Sequence, residues 1–254
     1  MHLSSYAKME AFFRSYSGSF PAEAGRSRVL EIGSKIYEGQ RSYRALIDKE
    51  RQSYVGLDLE PGLNVDIVAR DSFVWPEIGD GSFDVCISGQ TFEHNPYFWV
   101  TMCELARVLA AGGLACIIAP GAGPVHRYPV DCWRFYPDSW PALCRLAGLE
   151  PLETYLETDA VAEAVAGGEW RDSMLIARKP DLPPEKAAKA EALRRRITDP
   201  FREEFQPPGE GPGPGPAVAE YLRSVPRRSP AGLRKRLARR LYRPRTLPIH
   251  QGRR

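Results

Sequence analysis

The chain has 254 residues, of which 43% are hydrophobic, and it carries a formal net charge of +3. This length and composition suit one globular domain with extensions. No run of about 18 apolar residues is present, which argues against a membrane-spanning helix, and the first twenty residues lack the pattern of a signal peptide. Five cysteines without a C-x-x-C pair suggest free thiols in a reducing compartment, so we expect a cytoplasmic protein.

The charge is distributed unevenly along the chain. Residues 217–254 contain 12 Lys and Arg side chains and a single acid, which gives them a net charge of +11. The other 216 residues have a net charge of −8. This asymmetry predicts an acidic folded body and a basic C-terminal tail with separate roles.

Apolar runs bounded by turn residues predict alternating helices and strands. A first helix with Ser4 or Ser5 as cap precedes a strand ("SRVLEIGS"), a helix ("RSYRALIDKE") and two strands ("SYVGLDLEPG" and "VDIVAR"). A buried strand ("DGSFDVCISGQ") comes next, followed by a helix ("PYFWVTMCELARVLAAGG") that Gly112 and Gly113 would stop. A strand ("LACIIAPG") and a helix closed by Gly148 ("PDSWPALCRLAGLE") precede two successive late strands ("EPLETYLET" and "DSMLIARKP").

This order predicts an α/β fold, a Rossmann-like, mostly parallel seven-stranded sheet with helices on both faces and an antiparallel edge hairpin. About six residues separate the second and third strands, too few for a crossover helix. We assign residues 1–180 to this domain, 181–206 to a charged helical extension and 207–217 to a Pro/Gly linker. Residues 218–254 form the basic tail, in which "SPAGLRKRLARRLYRPR" suits an amphipathic helix.

Small and polar residues follow the apolar strands at the edge where ligands bind to open parallel sheets. Asp58 lies 25 residues after Gly33 and could accept hydrogen bonds from ribose hydroxyls. The intervening loop lacks G-x-G-x-x-G, and Ile36 and Tyr37 would crowd a pyrophosphate. Glu31 would repel phosphate but would tolerate a cationic sulfonium. The charges therefore favour S-adenosylmethionine over a dinucleotide.

The segments "VLEIGS", "YVGLDLEPG", "VDIVARD", "DGSFDVCISGQTFEH" and "ELARVLAAGGLACIIAP" resemble, in order and spacing, the class I S-adenosylmethionine-dependent methyltransferases. The similarity covers about residues 25–180 and is closest to small bacterial members that act on small molecules and glycans. It departs in the loop, usually E/D-x-G-x-G-x-G, which here keeps Glu31, Gly33 and a displaced Gly39.

The resemblance implies S-adenosylmethionine as cofactor, with Glu31 and Gly33 near its methionine part. Asp58 would bind the ribose, Leu59 would lie beside the adenine, and Asp71 would face the adenine amino group. The predicted cofactor-binding residues are Glu31, Gly33, Ser34, Asp58, Leu59, Asp71 and Gln90.

Two loop stretches, "FEHNPYFW" and "GPVHRYPVDCWRFYPDSW", hold the groups that could act on an acceptor. A hydroxyl acceptor must lose a proton, so a base that works near neutral pH is needed. The candidate catalytic residues are His126, His94 and Asp131, although a structural role for His94 is at least as well supported. No metal site is predicted, because the two histidines show no clear set of partner ligands.

Aromatic and charged side chains are interleaved in the second stretch, a composition that suits stacking on a sugar or another polyhydroxyl ring. The candidate substrate-binding residues are Tyr128, Trp133, Arg134 and Tyr136. The structural alternative is a lid whose aromatic rings pack on the sheet, with Arg134 paired to Asp131 or Asp138.

The predicted function is S-adenosylmethionine-dependent methyl transfer to a small polar acceptor, foremost O-methylation of a sugar, a glycan or another small metabolite. One alternative is a non-catalytic, methyltransferase-like binding protein, which the thinned glycine loop suggests. Another is an RNA methyltransferase that uses the basic tail to hold phosphates. Leu233, Leu237 and Leu241 in the tail equally suit an anionic membrane surface, which would place the protein at the inner face of the membrane.

Overall fold

The computed structural model describes residues 3–22, 25–202 and 215–224. The chain divides into two compact units, Met1–Pro208 and Gly209–Arg254. Among the described residues, no helix combines the length and the apolar character that crossing a membrane requires.

The structure contains six helices and seven strands within the described residues. The helices are α1 (Leu3–Tyr16), α2 (Phe98–Val108), α3 (Ser139–Ala147), α4 (Asp159–Ala164), α5 (Pro184–Thr198) and α6 (Pro216–Ser224). The strands are β1 (Ser27–Ile32), β2 (Gln52–Asp58), β3 (Ile67–Val68), β4 (Phe83–Gly89), β5 (Leu109–Pro120), β6 (Glu150–Leu156) and β7 (Asp172–Arg178).

All seven strands form one sheet in the order β3-β2-β1-β4-β5-β7-β6. The first five strands of this order are parallel to their neighbours, and β7 is antiparallel to both β5 and β6. The predicted fold class is confirmed, including the antiparallel pair formed by the last two strands and the missing helix between β2 and β3. Because β7 runs in the opposite direction, its first residue lies at the same edge as the carboxyl ends of the parallel strands.

The sheet is covered on both faces because its central strands are apolar on both sides. Leu30, Cys86 and Ile117 lie in one hydrophobic cluster with side chains of α2 and α3. Val29 and Ile118 lie in a second cluster with side chains of α1. Each fully buried large apolar side chain contributes about 1.5–3 kcal/mol, so both faces contribute to the stability of the edge that carries the polar residues.

The predicted helix over residues 41–50 is wrong, since only the 3-10 turn Tyr43–Leu46 forms there. Side chains compete with a helix for the backbone in this segment. Ser42 accepts a hydrogen bond from the Arg44 N–H, and Asp48 accepts one from the Glu50 N–H. The segment is therefore a series of turns, and the loop after β1 has no helix behind it.

The predicted end of α2 is also wrong. The helix stops at Val108, and Gly112 and Gly113 lie inside β5. A Cβ at Gly113 would come within 3.0 Å of the Asp84 carbonyl oxygen, beside the register shift between β4 and β5. These glycines therefore permit a bulge in the strand instead of capping the helix.

The first helix forms as predicted, but the serines expected to cap it lie within it and are buried. Ser4 Oγ donates a hydrogen bond to Asp172 Oδ2, and Ser5 Oγ lies 2.7 Å from the Tyr43 hydroxyl. Both serines therefore connect α1 to the rest of the fold instead of satisfying its first N–H groups.

The charged segment after the sheet forms α5, which packs against α2 and α3. Its Ile197 packs against the core and its Arg194 is buried. In the second unit, the described residues form α6, which overlaps the end of the predicted linker and the start of the predicted tail. The remainder of that tail, including its predicted amphipathic helix, lies outside the described residues.

Candidate functional site

The carboxyl ends of β1, β2, β4 and β5 lie side by side at one edge of the sheet, as the strand order requires. Every residue predicted to bind the cofactor, except Glu31 and Asp71, lies at the end of one of these strands or directly after it. The residues predicted for catalysis and substrate binding follow β4 and β5. The edge therefore has two sides, a β1–β2 side and a β4–β5 side.

Gly33 lies where the two sides meet. It has a φ of +75°, and a Cβ at this position would come closer than 3.0 Å to the side chain of Thr91, which follows β4. Both features favour glycine. The next residue, Ser34, is fully buried, and its Oγ has no hydrogen-bond partner among the described residues.

Asp58 holds the loop after β1 in place. Its Oδ2 accepts a hydrogen bond of 2.8 Å from the Lys35 N–H, and its Oδ1 accepts one of 2.8 Å from the Leu59 N–H. Each carboxylate oxygen keeps a further lone pair. The loop continues across the end of β2, where Ile36 forms a β-bridge with Leu63. The side chain of Leu59 is 52% exposed beside it.

Glu31 is buried, with 2% of its surface exposed. Its carboxylate accepts a hydrogen bond from the Tyr54 hydroxyl, and Asn64 Nδ2 donates to that hydroxyl and to the Ser34 carbonyl oxygen. Burial raises the pKa of Glu31 from 4.5 to about 8, against the opposing effect of the Tyr54 hydrogen bond. Glu31 therefore lies within the wall behind the loop, and it is protonated over much of the neutral range.

Asp71 and Gln90 have different surroundings. Asp71 Oδ1 accepts hydrogen bonds from the Phe73 and Val74 N–H groups, so it stabilises the turn after β3. Gln90 has a φ of +58°, and its Nε2 donates to Asp172 at the start of β7. Its Oε1 is buried without a hydrogen-bond partner among the described residues.

Asp172 is fully buried and joins several elements at this edge. Besides Gln90, it accepts hydrogen bonds from Ser4 Oγ and Lys8 Nζ of α1. Lys8 also forms an ion pair with the buried Glu157. The N-terminal helix is thereby linked through hydrogen bonds to the residue that follows β4.

The 3-10 turn Phe92–His94 places Glu93 and His94 beside His126 of the loop after β5. His94 Nδ1 lies 2.6 Å from the Val130 carbonyl oxygen, and the two imidazole centroids are 4.7 Å apart. Glu93 is fully buried, and burial raises its pKa to about 8. Burial also lowers the pKa of His94. The cluster is therefore a desolvated group of titratable side chains.

Asp131 is the centre of the loop after β5. Its Oδ2 lies 2.7 Å from the His126 backbone nitrogen and 3.2 Å from His126 Nδ1, and its carboxylate receives both terminal nitrogens of Arg134 at 2.6 and 2.8 Å. Burial alone would raise the pKa of Asp131, but these bonds lower it to about 2. A charged Asp131 therefore orients the imidazole of His126.

The predicted substrate-binding aromatics are exposed beside this cluster. Tyr128 is 67% exposed and its ring lies 6.0 Å from the rings of both His94 and His126. Tyr136 is 60% exposed. Trp133 is 38% exposed and packs against Phe98. The loop thus combines an open aromatic surface with a packed one.

Three residues of this region were not predicted from the sequence. Glu93 directly precedes His94, so the pattern "FEH" shows a carboxylate beside a histidine. The pattern does not indicate that Glu93 is buried. Thr91 is fixed by its contact with Gly33, and Trp170 lies 4.4 Å from the His126 ring. No local pattern could have identified Trp170, because it precedes β7 and reaches the cluster only in the folded chain.

The chemistry of the β1–β2 side fits the expected cofactor. Two of the buried polar atoms that have no hydrogen-bond partner among the described residues, Ser34 Oγ and Gln90 Oε1, stand directly beyond the carboxyl ends of β1 and β4. Buried polar atoms of this kind are normally satisfied by a ligand or water. Gly33 keeps the backbone accessible between them, and Asp58 retains acceptor capacity for ribose hydroxyls. A cleft of about 700 Å³ adjoins the loop after β1, lined by residues that include Ile36, Leu63 and Asn64.

Comparisons with known proteins agree with this arrangement. Residues 33–117 match the family model described as "Methyltransferase domain". The matched segment runs from Gly33, directly after β1, to Ile117 inside β5, and it therefore contains the carboxyl ends of β2 and β4. No curated protein matches the sequence significantly.

Solved structures share the fold at low sequence identity. One is the 1,6-didemethyltoxoflavin-N1-methyltransferase of Burkholderia thailandensis with bound 1,6-didemethyltoxoflavin and S-adenosylhomocysteine. It is 14% identical, has a TM-score of 0.52, and the alignment covers 70% of this chain and 79% of that one. Another is the CurJ carbon methyltransferase, 14% identical with a TM-score of 0.51, where the alignment covers 69% of this chain and 54% of that one.

The family match bears on two classes that the sequence left open. The matched model is a methyltransferase domain, and it favours an enzyme over a non-catalytic, methyltransferase-like binding protein. The thinned glycine loop is compensated by Asp58, which holds the loop backbone in place. Residues 33–117 thus match a methyltransferase domain, within a fold that the chain shares with solved methyltransferases.

Proposed function

We propose that this methyltransferase transfers a methyl group to a hydroxyl oxygen of a sugar, a glycan or another small polar metabolite. The observation that carries the proposal is the pair formed by His126 and Asp131 beside exposed aromatic rings. The named structural neighbours act on nitrogen and on carbon, so the acceptor atom is argued from this chain's own residues.

The acceptor hydroxyl must lose its proton as the new bond forms. Asp131 engages Nδ1 of His126, which leaves Nε2 as the nitrogen that can accept that proton. His94 lies against the same ring and is anchored by a backbone carbonyl oxygen. In this proposal His126 is the base, Asp131 positions it, and His94 completes the wall.

S-adenosylmethionine held at the strand ends would supply the methyl group, with the C–S electron pair left on sulfur and S-adenosylhomocysteine as the product. The residues of the chain align the acceptor and exclude water from this displacement. Ser34, Asp58 and Gln90 would hold the cofactor at the strand ends.

Recognition of a polyhydroxyl acceptor is proposed for the loop after β5. Tyr128 and Tyr136 expose ring faces that can stack on the apolar face of a sugar. Arg134 and Trp133 contribute less directly, since Arg134 is paired with Asp131 and Trp133 Nε1 donates to the Pro96 carbonyl oxygen. These four residues form the proposed acceptor surface.

A test supplies the purified full-length chain with S-adenosylmethionine and a panel of free sugars, nucleotide sugars, amines and activated carbon acids. Mass spectrometry measures S-adenosylhomocysteine and the methylated product. We expect product with hydroxyl acceptors, and at least a 100-fold lower rate in His126→Gln than in the control His250→Gln. Product formed only from amines or carbon acids, or an unchanged rate in His126→Gln, would contradict the proposal.

The contact of residues 218–254 with an anionic membrane or with RNA stays a prediction. Most of this tail lies outside the described residues. Sedimentation with anionic vesicles and binding to RNA, each compared between the full chain and a variant without residues 218–254, would measure it.

A further inference from the structure

Three potential metal ligands meet at the β4–β5 side of the edge. One carboxylate oxygen of Glu93 and one ring nitrogen each of His94 and His126 lie within 4.8 Å of one another. The first two come from the turn after β4, and the third comes from the loop after β5. The fold therefore assembles from two segments a set of ligands that neither segment holds alone.

Glu93 is the unusual member of this cluster. It is fully buried, and neither of its carboxylate oxygens has a hydrogen-bond partner among the described residues. The nearby cation, Arg134, directs both terminal nitrogens at Asp131. A buried carboxylate without a partner is costly, and native structures normally satisfy such a group. Glu93 thus points to a missing partner that donates hydrogen bonds or carries positive charge.

Both imidazoles are anchored through Nδ1. His94 Nδ1 lies within hydrogen-bond distance of the Val130 carbonyl oxygen, and His126 Nδ1 lies within hydrogen-bond distance of the Asp131 carboxylate. Metal-binding histidines are typically held in this way by a carbonyl oxygen or a carboxylate, which fixes the tautomer and leaves the Nε2 lone pair for the metal. His94 Nε2 already lies 3.6 Å from Glu93 Oε1.

We propose that Glu93, His94 and His126 bind one divalent cation of the zinc type. Zinc is held by nitrogen and carboxylate oxygen at about 2.0–2.2 Å, so neighbouring ligand atoms lie about 3.4 Å apart. Closing the cluster around the ion requires ligand atoms separated by 4.8 Å to approach one another by about 1.4 Å. Two imidazoles and one carboxylate form a ligand set that leaves coordination positions open for other molecules.

The role of the ion, though not its binding, rests on the proposed function. An open coordination position would take the oxygen of the acceptor hydroxyl and lower its pKa, as metal ions do for bound water. The proton would then pass to solvent, and the oxygen lone pair would form the bond to the methyl carbon. In this form His126 is a metal ligand instead of the base, and Asp131 positions it for the metal.

The test measures metal binding directly in the untagged full-length chain. The protein is stripped with EDTA, dialysed, and titrated with ZnSO₄ in a calorimeter, and in parallel with Co²⁺ while visible absorption is recorded. We expect one equivalent per chain and a Co²⁺ spectrum of low-symmetry coordination. The affinity should fall at least 100-fold in Glu93→Gln and in His126→Gln. The matched controls Glu163→Gln, on the exposed surface of α4, and His250→Gln should bind like the wild type.

Circular dichroism checks that each variant folds, and thermal unfolding provides a second measurement. Zn²⁺ should raise the midpoint of the wild type and of both controls, and it should not raise that of the two cluster variants. His126→Gln alters a partly exposed loop residue, so it keeps the test decisive if Glu93→Gln fails to fold.

Absence of stoichiometric binding, or equal affinity in the cluster variants and the controls, would overturn the inference. These titrations contain no acceptor, so their failure leaves the proposed O-methylation intact with His126 as the base. Conversely, a chain that binds one Zn²⁺ but methylates no hydroxyl acceptor would sink the proposed function and keep the metal site.

Discussion

The two sides of the sheet edge differ in how their buried polar groups are satisfied. On the β1–β2 side, Glu31 is bonded to Tyr54, and the Asp58 carboxylate is bonded to backbone N–H groups. On the β4–β5 side, both oxygens of Glu93 and the Oε1 atom of Gln90 have no partner among the described residues.

This difference separates residues that support the loop from residues that can interact with a ligand. Carboxylates that are bonded within the chain stabilise a loop, and Asp58 in addition keeps lone pairs that a ligand can use. A buried carboxylate without a hydrogen-bond partner is stabilised more by a ligand that donates to it than a carboxylate that is already bonded within the protein. The carboxylates of the β1–β2 side therefore form a preformed wall, in which Ser34 Oγ still lacks a partner among the described residues. On the β4–β5 side the buried carboxylate of Glu93 itself lacks one.

The largest effect is expected from breaking the β4–β5 side at Asp131. Asp131→Asn removes the charge that orients His126. We expect kcat to fall about 1,000-fold with KM for the acceptor changed less than about threefold, since positioning of the imidazole acts on the chemical step. The matched control is Asp138→Asn, whose side chain makes no capping hydrogen bond at α3. Equal losses in the two variants, or a change confined to KM, would argue against this role.

The contact between the two sides can be broken at Gly33. Gly33→Ala meets the Thr91 side chain and must also adopt a positive φ, so we expect a loss of about 3 kcal/mol in the free energy of unfolding. Gly39→Ala has a φ of +79° with nothing within 4 Å, and should cost only about 1 kcal/mol. Urea denaturation measures both, and a Gly33→Ala variant as stable as Gly39→Ala would refute the close approach.

The burial of Glu31 on the β1–β2 side predicts a dependence of stability on pH. The folded-state pKa of Glu31, about 8, lies above its ordinary value of 4.5. Between these pH values the folded protein binds the extra proton, so the contribution of Glu31 is full below pH 4.5 and is lost as pH rises through 8. Over this range the contribution of Glu31 to the free energy of unfolding falls by about 1.4 kcal/mol per pH unit.

Urea denaturation at pH 5, 6, 7 and 8 should show this decline in the wild type and in the control Glu163→Gln. The side chain in Glu31→Gln is neutral at every pH. The free energy of unfolding of this variant should therefore fall with pH less steeply than that of the wild type, and the difference in slope should equal the contribution of Glu31. Parallel pH profiles of Glu31→Gln and the wild type would show that Glu31 is ionised when folded.

The smallest effect is expected at the exposed rim of the β4–β5 side. Tyr128→Ala removes a ring that is 67% exposed, and stacking of this kind contributes about 1 kcal/mol. We expect KM for a sugar acceptor to rise about fivefold with little change in kcat. Tyr155→Ala, which alters an exposed ring of β6, serves as control. A rise in KM shared by both variants would count against the proposed acceptor surface.

The sequence predicted the sheet well because its strands are continuous apolar runs, and burial on both faces leaves such segments few alternatives. It failed at residues 41–50, where bonds from Ser42 and Asp48 to the backbone outweigh helix propensity. It also misplaced the end of α2, because Gly113 can equally cap a helix or permit a bulge, and only the partner strand decides.

The candidate site was predictable in its location but not in its internal arrangement. Strand order alone brings Gly33, Asp58 and Gln90 to one edge. Sequence could not show that Glu31 is enclosed by Tyr54 and Asn64, or that Glu93 is buried next to two imidazoles. These facts depend on contacts between segments far apart in the chain, which no local pattern reports.

Because β7 is antiparallel to β5, its first residue, Asp172, connects the N-terminal helix to the residue that follows β4. Asp172 receives Ser4 and Lys8 from α1 on one side and Gln90 from the strand edge on the other. A ligand, antibody or fused domain that pulls α1 from the sheet would thus release Gln90 without touching any catalytic group. With the cofactor role proposed for Gln90, substitutions in α1 should change the affinity for S-adenosylmethionine at a distance, independently of the acceptor.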